Sequence, residues 1–327
     1  MSWRISILDK SPIAENETAA DALARTLALA QQAENLGYHR FWIAEHHNTP
    51  QLASPSPELL IAWILGQTTR IRVGSGGVML QHYSPYKVAE NFNVLAALAP
   101  GRVDLGVGKA PGGLPLSTRA LQQGLNQQEK GSFAEQRAQL DRWIRPENPS
   151  AEEAVLATPL PPSPAQGFLL GASTESALLA ARLDWHFVFA AHLNGDPDLL
   201  REVITTWREN STREAIVAVQ EAEAEALAQK VEVWGVELAN GQRVTVASEE
   251  QAYAFARQAG SEPVRIARRA QSLLAGTAES VLEHLNALHE TWGIDEFIID
   301  TPIANGATRV ASLRLLAEAR LNREVTV

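Results

Sequence analysis

The chain predicts an α/β fold, a closed (β/α)8 or TIM barrel, on three observations. The apolar period switches back and forth between strand-like and helix-like along most of the 327 residues, the pattern of βα units on a parallel sheet. Eight strand-like runs can be placed, the number such a barrel needs. The glycine-rich stretch "GVGKAPGG" follows the fourth run rather than the first, and neither a GxGxxG nor a Walker A sequence occurs. That disfavours the rival fold, an open doubly wound sheet with a dinucleotide site.

In chain order, "RISILD" (4–9) reads as the first strand. Thr18 and Asp21 then form a capping box for a helix carrying Leu23, Leu27 and Ala30 on one face and stopped by Gly37. "HRFWIAEHH" (39–47) is strand two, and Ser56-Pro57 starts a helix ending near Gly66. "RIRVGSGGVML" (70–80) is strand three, Ser84-Pro85 opens the next helix, and "GRVDLGVGKAPGG" (101–113) holds strand four and a glycine-rich loop. Between 114 and 166 the pattern weakens to one helix, around Phe133–Trp143, and the extended Pro-rich "ATPLPPSPAQG". It returns with strand "FLLGAS", helix "TESALLAARL", strand "HFVFAAHL" and a helix capped at Asp196-Pro197. "AIVAVQEA" is strand seven, "EAEAEALAQK" an acidic helix, and "VWGVELANGQRVTV" a hairpin turning at Asn240-Gly241, an insertion near 232–247 in an otherwise single barrel domain spanning 1–327. A helix from Thr277, the strand "DEFIIDTP" and the helix "RVASLRLLAEAR" complete the eighth unit.

Composition narrows the function. A hydrophobic fraction of 45% with 20% charged residues is ordinary for a globular chain, and nothing approaches the ~18 uninterrupted apolar residues of a membrane span. The start, "MSWRISILDKSP", resembles a strand more than a signal peptide, and there is no cysteine, so a soluble cytoplasmic protein is expected. Without cysteine, thiolate catalysis and Cys-ligated metal are excluded. A net charge of −10 with scattered basic residues argues against nucleic acid as a partner.

In a barrel of this kind the βα loops open at the carboxyl ends of the strands, so polar residues at those ends share one mouth. They are Asp9 with Ser11; Glu45, His46 and His47; Ser75, Gly76 and Gly77; Lys109 with Gly112 and Gly113; Ser173 with Ser176; and His192 with Asn194. A hydrogen-bonded strand terminus would account for a single histidine. Three polar residues in succession point to catalysis or binding, with His46 and Glu45 as candidate acid and base groups. Adjacent histidines on a strand face opposite ways and cannot easily chelate one ion, so no metal is expected. Gly76-Gly77 weakens a strand unless something flat approaches its backbone, and a β-bulge is compatible with that. Lys109, in an amide-rich loop, suits an anion, though it is equally placed as a rim lysine. The "GAST" turn through Ala172 opens a helix with Ser173, Thr174 and Ser176, more hydroxyls than an N-cap requires. A ligand with a flat body and a phosphate tail fits these loops, and flavin mononucleotide (FMN) has that shape.

The stretches "SILDKSPI", "LAQQAENLGYHRFWIAEHHN", "RIRVGSGGVMLQHYSPYKVAENFNVLAALAPGRVDLGVGKAPG" and "LLGASTESALLAARL" together resemble the bacterial luciferase-like, flavin-dependent monooxygenases. The resemblance is dense over 4–113, returns over 167–195 and is weak over 276–318. It implies a (β/α)8 barrel, usually a homodimer, that takes reduced FMN from a separate flavin reductase and uses oxygen to oxygenate a small organic substrate. It implies that His46 assists the oxygen chemistry. Gly76 and Gly77 would lie under the isoalloxazine, commonly through a non-proline cis peptide, and Lys109, Ser173 and Ser176 would hold the phosphate. Ser75, Ala172 and His192, at the same strand ends, are further expected flavin contacts. The family usually has arginine where this chain has Lys109, and 114–166 and 210–275 depart from its long form. Two alternatives share the fold: a flavin-binding protein without turnover, and a deazaflavin-dependent oxidoreductase.

Overall fold

Thr18 caps the first helix as its spacing with Asp21 predicts. The Thr18 hydroxyl accepts from the Asp21 amide at 3.2 Å and the Asp21 carboxylate accepts from the Thr18 amide at 2.9 Å, satisfying two donors that helix geometry leaves open. The helix, α1 (Ala19–Asn35), buries Ala22, Thr26, Leu29, Ala30 and Ala33. Leu23 and Leu27, expected on that face, are only half-buried at its edge. The computed structural model describes residues 2–126, 128–147, 149, 155–191, 196–222, 233–269 and 273–325.

The same alternation continues through β1 (Arg4–Asp9), β2 (Arg40–Ile43), α2 (Pro57–Leu65), β3 (Arg72–Met79), α3 (Pro85–Leu98), β4 (Val103–Gly108), α4 (Pro115–Gln122), α5 (Phe133–Ile144), β5 (Gln166–Gly171), α6 (Thr174–Arg182), β6 (His186–Ala190), α7 (Pro197–Asn210) and β7 (Ala215–Ala222). An inserted unit follows, with β8 (Val233–Leu238), β9 (Arg243–Val246), α8 (Glu249–Ala259), β10 (Pro263–Arg269) and β11 (Leu273–Ala275). The chain then returns through α9 (Ala278–Trp292), β12 (Glu296–Asp300) and α10 (Gly306–Val325). Strands β1 to β7 pair in parallel in sequence order, and β12 closes the ring between β7 and β1. This is the closed eight-stranded (β/α)8 barrel.

Strand alternation gives the barrel interior three layers. The lowest is charged: Arg40 pairs with Glu296 at 2.7 Å and Asp104 at 2.9 Å, and the Trp42 indole donates to Asp104 at 2.9 Å. Burial, the largest effect on each, opposes charge on Asp104 and Glu296, but Arg40 together with Arg72 and Trp42 on Asp104, and with His39 and Ser6 on Glu296, outweighs it and holds both carboxyls below their ordinary range. Above lies an apolar layer of Leu8, Trp42, Phe168, Val188, Ile216, Ala218 and Ile298. Above that the barrel opens.

The hairpin at Asn240-Gly241 forms, with Gly241 at φ +83, a conformation that favours glycine. It is one side of a larger unit: β10 adds to β8 as a third antiparallel strand, and α8 packs Ala252, Phe255 and Ala256 against Val236, Leu238 and Val246. Leu114, just after β4, joins this small core, and the Gln258 side chain accepts from the Leu116 amide at 3.0 Å. The insertion is thereby fastened to the loop that follows strand four. Of the expected acidic helix, Glu221 and Ala222 end β7 and the remainder lies outside the described residues. Among the described residues no helix is long and apolar enough to cross a membrane.

Candidate active site

A cavity of about 580 Å³ opens at the carboxyl ends of the barrel strands, within the roughly 300–1,000 Å³ of small-molecule sites. Its lining brings together Glu45, His46, Gly76, Gly77, Lys109, Ala172 and Ser176, contributed by the ends of β2, β3, β4 and β5. Residues more than a hundred positions apart thus face one space.

The glycine wall has a packing cause. A Cβ on Gly76 would sit 2.7 Å from Leu8 Cδ1 and 2.9 Å from Trp42 Cε3, and one on Gly77 would sit 2.8 Å from the Gly106 carbonyl oxygen. Such contacts are closer than real side chains tolerate. The peptide between them is cis, and the β3–β4 register shifts between Ser75 and Val78, so the bulge anticipated from the two glycines is present. The result is a strip of backbone without side chains. Ser75 lies behind it: its hydroxyl donates to the Gly106 carbonyl at 2.8 Å and accepts from the Gly106 amide at 3.1 Å, bridging β3 to β4 in the fully buried wall.

The run Glu45-His46-His47 divides its labour. Strand β2 ends at Ile43, so the alternation that would send His46 and His47 opposite ways has already stopped. The buried Glu45 carboxylate accepts from the Met79 amide at 3.0 Å and the Tyr83 hydroxyl at 2.7 Å, and meets His47 Nε2 at 2.6 Å. Burial, and then the Glu45 charge, push the Tyr83 hydroxyl well above its ordinary pKa, so it stays a donor. The His47 amide in turn donates to the Gly112 carbonyl at 2.7 Å. Glu45 borders the cavity, yet its carboxylate ties β2 to the end of β3. His46 is the half-exposed member of the run and faces the same space.

Lys109 stands in a loop held from several sides. The Gln81 side chain donates to the Lys109 carbonyl at 2.7 Å, and His82 Nε2 meets the Pro111 carbonyl at 2.7 Å. Beside this loop, Ser173 caps α6 by accepting from the Ser176 amide at 3.2 Å, and the two hydroxyls lie 3.0 Å apart. A Cβ on Gly171 would reach within 2.6 Å of the Ser176 Oγ, so glycine lets the turn close onto the helix start. A cation, two hydroxyls and free helix amides at one end of a cavity suit a phosphate monoester. With the uncluttered glycine wall beside them, these residues fit a flavin mononucleotide. His192, the remaining expected contact, lies outside the described residues, as does Asn194.

Asp9 and Ser11 were expected at the mouth. They face outward instead, where Asp9 accepts from the Thr26 hydroxyl at 2.6 Å and pairs with Arg309, tying α1 and α10 to β1. The inward set on this strand is Ser6, Leu8 and Lys10, and Lys10 lines the cavity. Alternation from the buried Leu8 would have identified it. Among the described residues no cluster of His, Asp and Glu could hold a metal ion.

The profile of the luciferase-like monooxygenases, a family of oxidoreductases, matches residues 3–296 of this closed barrel. The chain belongs to that family. N-acetyl-S-alkylcysteine monooxygenase of Bacillus subtilis (strain 168) is 44% identical over 330 residues, covering 97% of this chain and 98% of the relative. The luciferase-like monooxygenase of Escherichia coli (strain K12) is 39% identical over 210 residues, covering 63% and 60%. The crystal structure of apo-MsnO8 superimposes with a TM-score of 0.77 at 30% identity, covering 98% of each chain.

Proposed function

We propose that the protein is a two-component monooxygenase that binds reduced FMN supplied by a separate flavin reductase and oxygenates an N-acylated S-alkylcysteine or a close thioether. The observation that carries the reading is the convergence, in one cavity, of the Gly76–Gly77 wall, the Lys109 and Ser176 end and His46. The substrate class is taken from the Bacillus subtilis relative, which matches along nearly the whole of both chains. When bound, reduced flavin supplies two electrons, so that one atom of oxygen enters the substrate and the other leaves as water. Lys109, Ser173 and Ser176 would anchor the phosphate, and the glycine wall would orient the ring. His46 holds or passes a proton through an imidazole nitrogen at the cavity side. Glu45 positions it by fixing the loop from which it projects.

The test is to mix the protein with reduced FMN, 18O2 and N-acetyl-S-methylcysteine and follow the label by mass spectrometry. The expected result is product carrying one labelled oxygen, with turnover lowered on the order of 100-fold or more in His46→Ala. Flavin bound tightly with no labelled product from any thioether would leave only a binding protein.

A homodimer belongs to the same proposal. Helices α2 and α3 turn Leu59, Trp63, Val94 and Leu98 to solvent, with Leu59 and Leu98 exposed by 69% and 70%. The patch is largely apolar, with the exposed Lys87–Glu90 pair on the same face of α3, and a contact about a two-fold axis would bury its apolar side chains against their own copies. Sedimentation should give a dimer at micromolar concentration, and Leu98→Lys should give a folded monomer. A monomeric wild type would end this part of the reading.

A further inference from the structure

The flavin reading gives no task to the side of the cavity facing the phosphate end. In the closed strand order β1 lies four positions from β5, directly across the barrel. Lys10, continuing the inward series of β1, presents its ammonium there, with the side chain 24% exposed. The Asp300 carboxylate, at the end of β12 and 1% exposed, accepts from Lys10 Nζ at 2.6 Å and from Gln220 Nε2, at the end of β7, at 2.9 Å. Gln220 is 4% exposed, and its Oε1 is buried with no hydrogen-bond partner. A lysine, a carboxylate and a carboxamide therefore cap the apolar layer of Leu8, Ile216, Ala218 and Ile298.

A packed core does not call for this arrangement. An ammonium in an apolar cavity is tolerable because Asp300 compensates it, and an ammonium has three donors, of which Asp300 takes one. Among the described residues no other acceptor is recorded for it, which leaves two donors for a ligand. Among the described residues lining the cavity the lysines are Lys10 and Lys109. With Lys109 engaged by the phosphate, Lys10 is the cation left to the substrate. Lys10 and the glycine wall border the same cavity from strands two apart, which suits a molecule whose reacting atom lies against the flavin and whose charged end turns toward β1.

We infer that Lys10, set in place by Asp300 and Gln220, receives the carboxylate of the substrate and selects acids over their neutral analogues. This rests on the proposed function for the identity of the substrate, an N-acylated S-alkylcysteine, which carries one carboxylate remote from its sulfur. Asp300 and Gln220 act through Lys10 and are positioning residues. A charge-assisted contact in a cavity of low polarity favours the acid by on the order of 10- to 100-fold.

The experiment compares N-acetyl-S-methylcysteine with its methyl ester in the FMN-supplied enzyme, for wild type, Lys10→Met and Lys10→Arg. A Lys10→Met/Asp300→Asn double variant guards against misfolding, because it leaves no buried carboxylate unpaired. The expected result is a preference for the acid in wild type, lost in both variants without Lys10 through KM rather than kcat and partly kept by Lys10→Arg, while the ester changes far less. Equal losses for acid and ester, or a preference that survives Lys10→Met, overturn the inference. If wild type oxygenates neither thioether, the substrate reading fails by itself. Lys10 is then judged by calorimetric titration of the FMN-loaded protein with hexanoate and hexanamide. Tighter hexanoate binding that depends on Lys10 upholds the inference, and equal binding ends it.

Discussion

The two sides of the cavity are built on opposite principles. On the β3–β4 side, Gly76 and Gly77 leave main chain at the cavity wall, because the Leu8 and Trp42 side chains and the Gly106 backbone already fill the places where Cβ atoms would go. On the β7–β12–β1 side, long polar side chains reach in from the strand ends and hold one another: Gln220 on Asp300, Asp300 on Lys10. A surface of backbone is flat and fixed by the sheet, and it suits a planar ring. A surface of side chains can change charge by replacing a pair such as Lys10 and Asp300 without altering the strands, and it suits a substrate particular to one protein. The difference explains why a single fold can keep its cofactor while varying what it oxidises.

The largest effect is expected on the backbone side. In Gly77→Ala the new methyl would meet the Gly106 carbonyl at 2.8 Å, and main chain in the middle of a sheet cannot step aside. Gly76→Ala would meet the Leu8 and Trp42 side chains at 2.7 and 2.9 Å, which can adjust in part. Overpacking of this kind costs about 1–3 kcal/mol, and Gly77→Ala should lie at or above the upper end with Gly76→Ala below it. Urea unfolding measures both, and flavin titration should show weakened binding in the same order. Should Gly77→Ala keep wild-type stability and flavin affinity, the contrast between a rigid and an adjustable side would be wrong.

Much of this was legible from the chain because barrels write their strands as runs of fixed period. The Thr18–Asp21 box, the Gly76-Gly77 interruption and the Asn240-Gly241 turn are local chemistry, and each appears where the sequence puts it. What could not be read is what depends on distant partners. Three polar residues at 45–47 looked like one functional group, yet Glu45 and His47 are occupied by Met79, Tyr83 and Gly112 from the next two strand ends, and only coordinates supply those partners. An acidic residue at a strand end points Asp9 to the mouth, but parity decides its face and gives that place to Lys10. The unit formed by β8, β9, α8 and β10 was half seen, since its hairpin has a turn signature, whereas β10 depends on pairing with β8 across the helix between them.

The smallest and most general prediction concerns the floor on which both sides stand. His186, stacked on Phe168 with ring centroids 4.7 Å apart, has its pKa pushed down to about 4 by burial first and then by Arg213 and Arg40. His39 is likewise pushed down to about 4, by burial and then Arg40. In the unfolded chain each histidine titrates near 6.5. Between those values the unfolded chain takes up protons that the folded one refuses, so their contribution is complete above pH 6.5 and is lost as the pH falls from 6.5 to about 4. Below that, protonation of Asp104 and Glu296, whose folded pKa values are depressed, removes the ion pairs with Arg40 and continues the decline. Urea midpoints should therefore be level from pH 8 to 7 and fall steadily from 6.5 to 4, with a shallower fall in His186→Gln. Because the floor supports glycine wall and polar wall alike, acid should weaken flavin binding and substrate binding together in this range. A pH effect confined to substrate binding would place the titrating group at the mouth rather than beneath it.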